Sequence, residues 1–110
     1  MSYNILVIPP FDRQLKRLVK KYPSLKIEFC NLLESLETQP EQGTPLGNNC
    51  FKMRLAIQSK GKEKSGGARV ITNLLIEETT VYLLSIYDKS EKENLSDKEL
   101  YELLLKVIKK

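Results

Sequence analysis

Lys52 and Arg54 stand two residues apart in Phe51-Lys-Met-Arg-Leu, Arg69 stands one residue beyond Gly66-Gly67, and Lys89 comes just after Val81-Tyr-Leu-Leu-Ser-Ile-Tyr. In an extended chain, residues i and i+2 leave the same face about 7 Å apart. Lys52 and Arg54 therefore form a cationic pair on one strand, while Phe51, Met53, Leu55 and Ile57 turn towards a core. Arg69 opens a run that is otherwise Val, Ile, Leu, Thr and Asn. If that run pairs with the Lys52–Arg54 strand, Arg69 lies across from both, and Lys89 leaves the next strand at the same end of the sheet. Three segments would then bring cations to one concave surface. A phosphate is the natural occupant, held bidentately by arginine and as a point charge by lysine. Simple solvent exposure of the pair is the plainer alternative.

Other chemistries fail on composition. The chain has no histidine, so Ser–His and Cys–His nucleophiles and histidine metal sites are excluded. Cys30 and Cys50 are too few for a disulfide scaffold and read as buried or half-buried structural thiols. The glycine-rich stretch Gly61–Gly67 lacks the Gly-Lys-Ser/Thr ending of a P-loop. The carboxylates cluster around the start of the last helix, where negative charge suits the helix dipole, and do not make a paired-carboxylate hydrolase site. Neither a metal nor a cofactor is expected.

The charge is concentrated. Residues 51–76 hold six basic groups and one acid, whereas residues 1–50 carry +1 and residues 77–110 carry −2. A local excess of this kind points to a polyanion partner. Lys60, Lys62 and Lys64 are three of these six basic groups. They read either as contacts to an RNA backbone or as a solvated loop.

The elements that must position these groups are legible from periodicity. Asn4 to Ile8 is a short apolar strand stopped by Pro9-Pro10. Phe11, Leu15, Leu18, Val19 and Tyr22 recur at helical spacing up to Pro23, and Leu25, Phe29, Leu32, Leu33 and Leu36 do so from about Ser24. The two helices have almost no linker and form a helical hairpin. Residues 38–49, with two prolines and two glycines, read as loop. The alternating strand from Phe51 follows, then the lysine- and glycine-rich loop, then strands over Ala68–Ile76 and Val81–Tyr87 joined by a turn at Glu77–Thr80. Ser96-x-x-Glu99 is a capping box, flanked by Leu95 and Leu100, and opens a helix with Leu100, Leu103, Leu104, Val107 and Ile108 on one side. The prediction is one α+β domain over residues 1–110, with helices packed on a mainly antiparallel sheet. No run of 18 uncharged apolar residues occurs, and Met1–Pro10 lacks the form of a secretory signal, so a cytoplasmic protein without a membrane partner is expected.

Phe51-Lys-Met-Arg-Leu, the stretch Lys64-Ser-Gly-Gly-Ala-Arg-Val-Ile and the end Ile86-Tyr-Asp-Lys-Ser-Glu resemble the RelE/ParE toxin superfamily, most closely its HigB-like branch. The resemblance covers residues 50–100 well and the remainder by element order. It implies a toxin of a type II toxin–antitoxin pair that cuts mRNA on the ribosome without metal and is silenced by a cognate antitoxin. It implies Lys52, Arg54, Arg69 and Lys89 as the catalytic set. A tyrosine that some ribosome-dependent members carry would fall at Leu95 and is missing. In the implied reaction the ribose 2′-OH attacks the adjacent phosphorus and the 5′-oxygen leaves. Lys52 would be base or orienter, Arg54 and Arg69 would hold the phosphate, Lys89 would be the acid, and Glu91 a weaker proton-transfer candidate. Arg69 is expected to be a surface cation of little weight for folding. Two other classes compete: a ParE-like gyrase poison, which needs none of these residues, and a non-enzymatic nucleic-acid-binding relative.

Overall fold

The computed structural model describes residues 2–58 and 67–108, with side chains to Val107. Among these residues five strands and three helices follow in the order β1 (Asn4–Val7), α1 (Pro9–Lys21), α2 (Leu25–Thr38), β2 (Thr44–Gly47), β3 (Cys50–Leu55), β4 (Ala68–Leu75), β5 (Thr80–Asp88) and α3 (Asp97–Ile108). The sheet order is β1-β5-β4-β3-β2. β1 runs parallel to β5 and the other neighbours are antiparallel. The α+β prediction and its helical hairpin are thus observed. One strand was not predicted. β2 lies in the segment read as loop, where all four of its residues are exposed. It is held by its ladder to β3 and by the two-residue turn Asn48-Asn49, both at positive φ (54° and 59°), the geometry that tight hairpins favour.

Local chemistry marks the ends of α1 and the start of α3. α1 has proline at its first positions and ends at Tyr22, whose N–H returns to the Leu18 carbonyl. The capping box of α3 is formed in both directions: the Glu99 N–H donates to Ser96 Oγ (3.1 Å) and the Ser96 N–H donates to Glu99 Oε1 (2.9 Å).

The ladders assign every side chain to a face. Cys50, Lys52 and Arg54 share one side with Arg69, Ile71, Asn73 and Leu75, and with Ser85 and Tyr87. Met53, Ala68, Val70, Thr72 and Leu74 take the other side, with Val81, Leu83 and Ile86, and are buried beneath α1 and α2. The alternation along β5 is interrupted once. Ile71 pairs with Ser85, but Thr72 pairs with Leu83, so Leu84 is an extra residue. This bulge advances β5 by one position. It sends Tyr87 to the face of Lys52 and Arg54, and Asp88 to the face of α1. α3 covers the far half of the Lys52 face, where Tyr101, Leu104 and Val107 meet Asn73, Leu75 and Tyr82. The near half stays open.

One thiol and one cation depart from expectation. Cys50 is buried, as read, and burial pushes its thiol up, but Cys30 is exposed because it lies beside the buried stripe of α2. Arg69 is only 5% exposed and is not a surface cation. It sits between two strands, opposite Arg54 on one side and Tyr87 on the other.

Candidate active site

The open half of the face carries a cleft of about 200 Å³ lined by Thr44, Lys52, Met53, Arg54, Arg69, Lys89, Glu93 and Asn94. All four cations singled out in the sequence are therefore brought together. β3 supplies Lys52 and Arg54 through its two-residue period, and the ladder sets Arg54 directly opposite Arg69. Lys89 enters from the turn after β5, its amide N–H bonded to the Gly67 carbonyl at 3.1 Å. Position 67 has to be glycine for steric reasons. A Cβ there would stand 2.6 Å from the Leu55 carbonyl oxygen, so the start of β4 could not lie so close to the end of β3.

The electrostatics of the cleft are one-sided. Its lining holds four cations and one carboxylate, Glu93. Among the described residues the buried Arg69 guanidinium donates a single hydrogen bond, from Nη1 to the Ala68 carbonyl at 3.3 Å. A guanidinium has five N–H donors, and a buried charge with so few partners favours an anion beside it. Lys52 Nζ donates to Asn94 Oδ1 at 3.2 Å, which fixes the lysine across the mouth of the cleft.

Glu91 is not part of this arrangement. Its carboxylate accepts from Arg17 Nη2 (2.9 Å) and Lys21 Nζ (3.1 Å) on α1, which hold it below the usual carboxylate range. Glu93 and Asn94, to which the sequence assigns no part in the site, line the cleft instead. No periodic signal exists in a turn to separate Glu91 from Glu93. Tyr87 shares the face of Arg54 and Arg69 but is buried, and it lines a neighbouring cleft with Ser85, Lys92, Leu95 and Glu99. Burial raises the pKa of its hydroxyl, against the opposing charge of Arg69 and the Leu95 backbone. Lys60, Lys62 and Lys64 lie outside the described residues.

A sequence model of the family described as the RelE toxin of the RelE / RelB toxin–antitoxin system matches residues 11–109. The chain belongs to the RelE toxin family. Solved structures agree on the RelE fold. The free E. coli toxin RelE, in a doubly substituted mutant, has a TM-score of 0.63 at 20% identity, over 98% of this chain and 99% of that one. The toxin–antitoxin complex RelBE2 from Mycobacterium tuberculosis gives a TM-score of 0.58 at 22% identity, over 80% and 99%. A metal-bound toxin from Helicobacter pylori gives 0.52 at 22% identity, over 84% and 99%. Among the described residues of this RelE-family toxin, no helix is long and apolar enough to cross a membrane.

Proposed function

We propose that this RelE-family toxin is an endoribonuclease that cuts mRNA on the ribosome, using the 2′-OH as nucleophile and no metal, and that the cleft of Lys52, Arg54, Arg69 and Lys89 is its active site. The observation that carries the reading is the convergence of these four cations from two strands and a turn into one small cleft. Phosphodiester transfer to a 2′-OH builds negative charge on the non-bridging oxygens, and fixed cations aimed at that charge lower the barrier. Arg54 and Arg69 take the phosphate, the buried Arg69 from below and the exposed Arg54 from solvent. Lys52, steadied by Asn94, orients the 2′-OH, and Glu93 adds a carboxylate able to accept its proton. Lys89, at the other end of the cleft, gives a proton to the departing 5′-oxygen. The products are a 2′,3′-cyclic phosphate and a 5′-hydroxyl.

The same reading includes a cognate antitoxin, as in the RelBE complexes, a place of action in the cytoplasm where ribosomes are met, and membership of the HigB-like branch. Lys60, Lys62 and Lys64 would hold RNA backbone beside the cleft. A gyrase poison would make no use of the four cations, which is why the nuclease is preferred.

Primer extension on translated and on free mRNA tests the proposal. Cuts are expected within codons of translated message, with little cutting of free RNA and none of DNA, which lacks the 2′-OH. Intact mRNA together with an early DNA-damage response would replace this reading with the gyrase one. Glu93→Gln is expected to slow cleavage and leave RNA binding unchanged. Full activity in that variant would remove Glu93 from the mechanism.

A further inference from the structure

Among the described residues Asp88 is the one acidic side chain that is fully buried, and the chemistry above does not use it. The bulge at Leu84 turns its side chain away from the cleft, towards α1. Its carboxylate is nevertheless well served. Tyr22 Oη donates to Oδ2 at 2.8 Å, and the Ser90 N–H and Ser90 Oγ donate to Oδ1 at 2.9 and 2.8 Å. The Asp88 carbonyl accepts from the N–H groups of Glu91 and Lys92, both at 3.0 Å.

Lys89 stands in the middle of this arrangement. The residue before it is tied to α1 by Tyr22, the residue after it is tied back to Asp88, and its own N–H is bonded to Gly67. An exposed turn at a strand end ordinarily samples several conformations. Here the backbone of Lys89 is bracketed on both sides, so its side chain leaves from a fixed root. We infer that Asp88, through its hydrogen bond to Tyr22, is a positioning residue that aims Lys89 into the cleft. The inference rests on the reading of the cleft as a nuclease site.

The experiment is a double-mutant cycle on the full-length toxin, with cleavage of translated mRNA as the rate measurement. Tyr22→Phe removes one donor and keeps the ring, and is expected to remain folded with a modestly lowered melting temperature, because a buried carboxylate oxygen loses a donor. It should lower kcat about tenfold, the equivalent of one hydrogen bond to a charged group, and leave KM as it was. In a Lys89→Met background the same change should have no further effect, because the group it positions is gone. Asp88→Ala should behave as a stronger version, and Asp88→Asn, whose oxygen still accepts from Ser90, should recover part of the loss. A folded Tyr22→Phe protein with wild-type kcat would overturn the inference. So would an equal loss with and without Lys89, which would mark a general structural role. If the wild-type toxin itself cut nothing, the nuclease reading would fall instead. Amide exchange at Lys89 and Ser90 then tests the positioning by itself: faster exchange in Tyr22→Phe upholds it, and unchanged exchange refutes it.

Discussion

The cleft is built in two ways. Lys52, Arg54 and Arg69 stand on paired strands, where the backbone ladder fixes the direction of each side chain and no particular neighbour is needed. Lys89, Glu93 and Asn94 stand on a turn that has no ladder and is held by side chains of other elements, Arg17 and Lys21 of α1, Tyr22 just beyond its end, and Glu99 of α3. Strand-borne groups are rigid because the sheet is rigid. Turn-borne groups are only as rigid as their clamps. A reaction that must hold a phosphate still and also pass protons has use for both kinds of support.

The sharpest way to break this comparison is at Arg69. Arg69→Leu is expected to reduce cleavage on the order of 10²–10³-fold, the usual cost of losing a preorganised charge-stabilising donor. Its melting temperature should hold or rise, because a buried guanidinium among like charges is replaced by an apolar group. A marked fall in melting temperature would show that the arginine supports the sheet. The turn-borne acid comes next. Lys89→Met should cost about 10²-fold, and a substrate with a better leaving group than the 5′-oxygen should recover most of that loss. No recovery would place Lys89 on the phosphate and not on the leaving group.

Smaller effects sharpen the contrast. Asn94→Ala frees the Lys52 ammonium without removing it and should slow cleavage about tenfold or less, as measured under single-turnover conditions. At the α3 clamp, Lys92, aided by the Ser96 N–H, lowers the pKa of Glu99 from 4.5 to about 2. A carboxylate whose pKa is lowered by folding stabilises the fold above its unfolded pKa and loses that contribution as pH falls through the folded one. The stabilisation from Glu99 is therefore complete above pH 4.5 and is lost towards pH 2. Thermal melts of Glu99→Gln should accordingly be less sensitive to acid across that window than those of the wild type. Parallel curves would show that the clamp carries no stability. The effect is small because both partners are more than a third exposed.

The same division explains what could be read in the sequence. The period of two in Phe51–Leu55 alone puts Lys52 and Arg54 on one face, and the glycines before Arg69 place it near the start of the neighbouring strand. The capping box Ser96–Glu99 announced α3 with its partners. β2 was missed because it buries nothing and therefore carries no alternation. Glu93 and Asn94 were missed, and Glu91 was considered instead, because a clamped turn takes its shape from α1 and α3, far away in sequence. The burial of Arg69 was missed because polarity predicts exposure, and only the two flanking strands explain the opposite.

The extra residue at Leu84 makes the length of β5 a functional quantity. Val81, Leu83, Ile86 and Asp88 lie on the helix side and Tyr82, Ser85 and Tyr87 on the other only because one unpaired residue is counted in between. Deleting a single residue there would preserve composition, charge and apolar content almost entirely. It would nonetheless exchange the two sides of the strand's second half, bringing a carboxylate in among the arginines and pressing a tyrosine against α1. Single-residue gaps in this strand should therefore be far less acceptable to selection than substitutions at the same positions. A deletion scan of residues 83–86 read by growth arrest would show a reading frame for side chains, kept in step by one leucine.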